Sequence, residues 1–170
     1  YTSDKQKNPP LSQREFDYWQ KICYHNLKTR ESEYAAVENY LQMNLSKREI
    51  DAISNLGLAH IGDCVYELMV RSKIICSGRS TSAGLHRDTV KYVSAPAQAL
   101  AVEKILPVLS EEERGVYRRG RNTRVNSVPK NADRAQYHAA TGLEALFGWL
   151  YLNGCHERLN ELFAIIMEEE

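Results

Sequence analysis

Asp63 follows a glycine in an apolar stretch, Leu56-Gly57-Leu58-Ala59-His60-Ile61-Gly62-Asp63-Cys64-Val65-Tyr66-Glu67, and Glu67 lies one helical turn beyond it. Leu58, Ile61, Val65, Leu68 and Met69 recur at helical spacing as one apolar stripe, which sets Asp63, Glu67 and His60 on the other side. Taken alone, that pattern fits either a solvated helix face or a metal-binding strip beside the core. Glu144 stands at the edge of a second stripe, Leu143, Leu146, Phe147 and Leu150, with the small residues Thr141 and Gly148 a turn to either side. Small neighbours leave room for an ion with its waters, or for the backbone of a packing helix. If the two helices pack, Asp63 and Glu144 can share one Mg²⁺, an ion often held by one or two carboxylates, waters and substrate phosphate oxygens. Such an ion can activate a water for attack on phosphorus and stabilise the leaving oxygen.

A second group of candidates is basic. From Arg114 to Arg134 there are seven basic residues against one acidic, while from Glu157 onward there are five acidic against one basic. Arg118-Arg119-Gly120-Arg121-Asn122 ends one expected helix, and Pro129-Lys130-Asn131-Ala132-Asp133 opens the helix that carries Glu144. Arginine, lysine and asparagine around a loop suit contacts to phosphates and to the 2′-hydroxyls of A-form RNA; equally, such a run can be a solubilising loop. The formal net charge is zero, so any pull on a polyanion is local, acting over a Debye length of about 8 Å.

The elements that must position these residues are all helical. Period-two β-branched runs are absent, and apolar residues recur at helical spacing almost throughout. Residues 1–11, with Pro9-Pro10, form an extended arm. Ser12 with Glu15 opens a short helix, and a second runs from about Ser32 to Met43. Ser46 with Glu49 is a capping box before Ile50 and Ile53. The central helix covers about Ser54 to Cys76 and stops near Gly78. Another starts near Ser82 and carries Leu85, Thr89 and Tyr92. Pro96 opens a run to about Leu106, and Ser110 with Glu113 caps a helix ending at Gly120. A loop follows to about Asn131. The last helices cover about Ala132 to Leu152 and His156 to Glu168, divided by Asn153-Gly154.

A chain of 170 residues is long enough for one domain with a real core. No apolar run approaches the ~20 residues of a membrane span, and no basic-then-apolar leader is visible. The four cysteines, at 23, 64, 76 and 155, form no CxxC pair and no Cys/His cluster of zinc-site spacing. They read as buried or free thiols of a reducing cytoplasm. Residues 1–50 are an arm and short helices of uncertain role, and residues 51–170 the main domain.

The order of these motifs resembles the ribonuclease III family, and most closely its short branch, Mini-ribonuclease III, which has a nuclease domain and no separate RNA-binding domain. The resemblance rests on His60-Ile61-Gly62-Asp63, on Thr141-Gly142-Leu143-Glu144-Ala145-Leu146-Phe147-Gly148, and on Arg-Gly-Arg-Asn followed by Pro-Lys-Asn. It covers about residues 54 to 167. It implies an all-α ribonuclease III endonuclease-domain bundle in which Asp63 and Glu144 converge on Mg²⁺ as catalytic and metal-holding residues. Larger members place further carboxylates where Ala59 and Thr141 stand here, and both departures match the short branch. Glu67, in Gly-Asp-x-Val-Tyr-Glu, and His86 fit its pattern too. The role of Glu67 stays open between metal contact, a supporting position and structure, and that of His86 between RNA contact and a helix cap.

The resemblance further implies cleavage of double-stranded RNA to 5′-phosphate and 3′-hydroxyl ends by a homodimer, with Arg118, Arg121, Asn122, Lys130 and Asn131 positioning the duplex. It points to maturation of large-subunit (23S-type) ribosomal RNA in the cytoplasm, with a large-subunit ribosomal protein as a candidate partner. The apolar side of the signature helix is the expected dimer surface. Two other classes remain open: a non-catalytic RNA-binding or ribosome-associated protein on the same fold, motivated by Ala59 and Thr141, and a helical scaffold whose basic loop meets an acidic protein.

Overall fold

The structure, a computed structural model, describes residues 43–78, 81–124 and 133–168 together with Asn39 and Leu41. The fold below is that of the unit Leu41–Glu170. The two helices expected before Met43, and Lys130 and Asn131, lie outside the described residues.

Every regular element among the described residues is helical. In order they are α1 (Lys47–Asp51), α2 (Asn55–Cys76), α3 (Ser82–Val93), α4 (Ala95–Ile105), a 3₁₀ turn (Leu106–Val108), α5 (Glu111–Arg121), α6 (Arg134–Leu152) and α7 (His156–Met167). Local chemistry sets their ends. Ser46 with Glu49 and Ser110 with Glu113 both close full capping boxes, each satisfying two otherwise orphaned N–H groups. Ser54 accepts from Gly57 N at 3.1 Å to start α2, and Asp133 accepts from Ala135 N at 2.7 Å to start α6. Gly78 (φ 64°) and Gly154 (φ 70°) take the left-handed conformation beyond α2 and between α6 and α7, where a Cβ would be strained. Lys104 Nζ donates to the carbonyls of Ile166 and Glu168 at the end of α7.

Helix α6 is the centre of the unit. It packs against α2, α4, α5 and α7, and its contact with α2 is the most extensive in the fold. Leu143, Leu146, Phe147 and Leu150 are buried on it, along with Ala140, Gly142, Ala145 and Gly148. A helix buried on so many sides must be apolar nearly all round, which this one is. Around it stand Val65, Tyr66, Val70 and Ile74 of α2, Ala101, Val102 and Ile105 of α4, and Leu159, Leu162 and Ile166 of α7. The Tyr66 and Phe147 rings meet edge to face at 5.3 Å, the arrangement their quadrupoles favour. Glu113, buried at the start of α5, is gripped by Arg158 of α7 at 2.9 and 3.1 Å.

The buried face of α2 differs from the expected stripe. Leu58 and Val65 are buried, but Leu68 is 64 % exposed, and Ala59, Tyr66, Val70 and Ile74 face the interior. The reason is Gly62. Glycine carries no weight in an apolar stripe, yet it is where α6 comes closest, so the buried arc centres on it. Cys64, Leu68 and Ile75 are left outside on one strip, with Ile61 half-buried at its edge. On α3, Thr89 is buried and Leu85 half-buried, while Tyr92 of the same expected face is exposed.

A Cβ on Gly148 would stand 2.0 Å from the Leu58 carbonyl oxygen. Backbone cannot retreat as a side chain can, so Gly148→Ala should cost about 3 kcal/mol or more, the upper end for overpacking. At Gly115 the nearest atom to such a Cβ is the mobile Arg119 Nη1 at 3.4 Å. Gly115→Ala should therefore be neutral, or stabilising by up to ~1 kcal/mol through helix propensity. Urea unfolding of the two variants measures both; equal stabilities would refute the account of the α2–α6 contact.

Candidate active site

The closest approach in the fold builds the site. A Cβ on Gly62 would lie 1.7 Å from the Glu144 carbonyl oxygen and 2.6 Å from Gly148 N. The backbones of α2 and α6 therefore touch with no side chain between them. Asp63 is the next residue along α2, so the contact sets it beside Glu144 although the two are 81 positions apart in the chain. Of the two options for Gly148, the helix backbone is the one realised.

The electrostatics carry the mark of this pairing. Glu144 is half-buried, and its pKa is pushed up to about 7, first by burial and then by the charge of Asp63; the nearby Gln98 side chain works the other way. Asp63 also lies above the usual carboxylate range, through burial and then the charge of Glu67, with His60 opposing. Two carboxylates held in this way attract a cation. Among the described residues there is no cluster of three His, Cys, Asp or Glu that could hold a metal, so the site is no closed cage. Its donor set suits a hard divalent ion that brings waters and accepts phosphate oxygens.

The neighbouring positions are now defined. Glu67 accepts from Arg71 Nε at 2.8 Å and pairs with its guanidinium within α2. His60 is close enough to act on Asp63, and His86 is exposed on α3. Ala59 and Thr141 are both buried, and the Thr141 hydroxyl donates to the Tyr137 carbonyl at 3.0 Å. Gln98, on α4, was not among the residues expected from sequence. Its only signal there was a polar residue inside an apolar helix.

The basic candidates gather where α5 ends and α6 begins. Arg121 and Asn122 line a hollow with Thr123, Arg124, Arg134, Ala135 and His138. Arg118 lines an adjoining groove with Arg121, Arg114, Tyr117 and Gln136, and is paired at the surface with Glu111 at 3.5 Å. Arg124, Arg134 and His138 are additions that sequence alone did not single out. Arg134 and His138 are one turn apart on α6, a spacing that could have flagged them once the helix start was known. His138 Nδ1 is buried with no hydrogen-bond partner among the described residues.

The pairing has a consequence for stability. A carboxyl with a raised folded pKa binds its proton more tightly when folded. The stability this gives is complete below the ordinary value of 4.5 and is lost as pH rises through about 7. Glu144→Gln removes the loss. In EDTA at pH 8 this variant should be more stable than the wild type by on the order of 2 kcal/mol, and the gap should close towards pH 4.5. Thermal melts across that range test it; identical melts at pH 8 would mean the carboxyl is not held against Asp63.

Comparison with known proteins places the chain in a family. Residues 56–154 match the family model "Ribonuclease III domain". The chain is 45 % identical over 124 residues to the Mini-ribonuclease 3 of a Thermoanaerobacter species, covering 73 % of this chain and 87 % of that one. It is 47 % identical over 107 residues to the Mini-ribonuclease 3 of Symbiobacterium thermophilum, covering 63 % and 82 %. A crystal structure of a Fusobacterium nucleatum protein superimposes with a TM-score of 0.63 at 29 % identity, covering 68 % of this chain and 94 % of that one. The chain belongs to the ribonuclease III family, in the company of its Mini-ribonuclease 3 members, and is an endoribonuclease of the ribonuclease III type.

Proposed function

We propose that this endoribonuclease cuts double-stranded RNA in a Mg²⁺-dependent reaction and works as a homodimer. The observation that carries the reading is the juxtaposition of Asp63 and Glu144 across the glycine contact. These two carboxylates would hold the ion. When bound, the ion supplies Lewis acidity at the scissile phosphate and a water of lowered pKa. The protein's own part is to hold both carboxylates at one point and to present the duplex there. Arg121 and Asn122, with Arg118 on the adjoining groove, hold the phosphate backbone; Arg124, Arg134 and His138 extend that surface. Lys130 and Asn131, which lie in the same stretch of chain, are assigned the same task. Contacts of this kind position a duplex and carry little sequence information.

Each strand of a duplex needs its own cut, and a two-fold dimer supplies two sites on one isologous interface. The outer strip of α2 supports that assignment. Leu68 and Ile75 are 64 % and 66 % exposed, an unusual cost for a helix that carries the site unless a second copy covers them. Maturation of large-subunit (23S-type) ribosomal RNA in the cytoplasm, with a large-subunit ribosomal protein as helper, is the cellular role we assign. No helix among the described residues is long and apolar enough to cross a membrane.

Long labelled double-stranded RNA should be cut into discrete products in Mg²⁺ and left intact in EDTA. Asp63→Asn should abolish product formation while the variant still folds and binds RNA; a wild-type rate in it would sink the assignment. Leu68→Glu places a charge on the outer strip, so the variant should sediment as a monomer. A dimer that persists at micromolar concentration would place the interface elsewhere.

A further inference from the structure

Four polar or charged side chains are buried among the described residues: Thr89, Gln98, Glu113 and Thr141. Three of them are fully explained by the fold. Thr89 and Thr141 donate to carbonyls one turn back at 2.8 and 3.0 Å. Glu113 closes a capping box and takes Arg158. Gln98 is different. It is 1 % exposed, and its Nε2 has no hydrogen-bond partner among the described residues. Leaving a buried amide donor unpaired is destabilising, and an apolar side chain of the same shape would avoid that cost. Something other than folding has to account for the amide.

Its surroundings say what that is. Gln98 lies in the first turns of α4, which packs directly on α6. Its amide is near enough to the Glu144 carboxyl to favour the ionised form, though short of full hydrogen-bond geometry. The group is neutral, so it can hold a carboxylate without competing with a cation for it. Among the described residues no second ring of carboxylates is available to do this: Ala59 and Thr141 stand where one would be supplied, and the Thr141 hydroxyl is engaged.

We propose that Gln98 is a positioning residue of the active site: its side-chain amide closes onto the Glu144 carboxylate when a divalent ion is bound and turns that carboxylate toward Asp63. This rests on the reading of Asp63 and Glu144 as the ion-holding pair. Three helices then build the site, with α2 and α6 giving the carboxylates and α4 the group that orients one of them.

The test uses Gln98→Met, which keeps length and shape but has no donor, and Gln98→Asn, which keeps the amide but withdraws it. Mn²⁺ affinity is measured by calorimetry on the full chain, beside Asp63→Asn as a reference. Losing such a supporting contact typically weakens metal binding or activity by about 10–100-fold. Gln98→Met should bind Mn²⁺ at least about tenfold more weakly. Its kcat on double-stranded RNA should fall with little change in KM, and it should melt in EDTA at the wild-type temperature or above. Gln98→Asn should shift Mn²⁺ affinity in the same direction, which keeps the test open if the methionine variant does not fold. Wild-type Mn²⁺ affinity and kcat in a folded Gln98 variant, with Mn²⁺ binding lost in Asp63→Asn, would overturn the role of Gln98 alone. Unchanged Mn²⁺ binding in Asp63→Asn would overturn the underlying reading of the pair. A fall in melting temperature with metal affinity intact would make Gln98 purely structural.

Discussion

The rest of the molecule depends on one backbone contact. Gly62 of α2 rests on the carbonyl of Glu144, and four residues on, Gly148 of α6 rests on the carbonyl of Leu58. At each glycine the backbone of the other helix occupies the space that a Cβ would need, so the two helices lie closer than side chains ordinarily allow. Dense interiors transmit such a constraint. With that approach set, Tyr66 meets Phe147, Val65 and Val70 join the core around α6, and Asp63 comes to lie beside Glu144. One contact thus builds the core and the site together, and substitutions at these two glycines bear on both.

The same contact stores an electrostatic tension. Burial and the charge of Asp63 hold Glu144 near neutrality in proton affinity, a state that favours a proton or a cation over a bare charge. Sites tuned in this way sacrifice stability for function. The surrounding fold offsets it with interactions that have nothing to do with catalysis, such as the Glu113–Arg158 pair, the two capping boxes and the lysine that caps α7.

Helix α2 shows how much one element can carry. Gly62, Tyr66 and Val70 face the interior. His60, Asp63 and Glu67 form an acidic edge with one basic companion, and Cys64, Leu68 and Ile75 make an apolar outer strip. Elsewhere, α5 ends in arginines where the helix dipole is negative, and α6 begins under an aspartate cap where it is positive. Both choices satisfy the helix ends and leave Arg118, Arg121 and Arg134 exposed.

Much of this was legible in the sequence, and the reasons are local. Ser46, Ser54 and Ser110 sit where caps must, Gly78 and Gly154 where a left-handed residue must, and the 3.6-residue period of α6 names Leu143, Leu146, Phe147 and Leu150 as core. Asp63 and Glu144 were visible as carboxylates on two apolar helices. What the sequence could not determine were relations across the chain. Leu68 reads as a core residue by period and lies outside, because which arc of α2 is buried depends on where α6 comes closest. Gln98 reads as a stray polar residue in an apolar helix, and only the packing of α4 on α6 turns it toward Glu144. Arg124, Arg134 and His138 become one surface only when the end of α5 and the start of α6 come together. Propensity, capping and period are properties of neighbours along the chain, so sequence by itself determined the helices and the chemical types available. Proximity between Asp63, Glu144 and Gln98 is a property of interhelical packing, and the tertiary structure alone decided it.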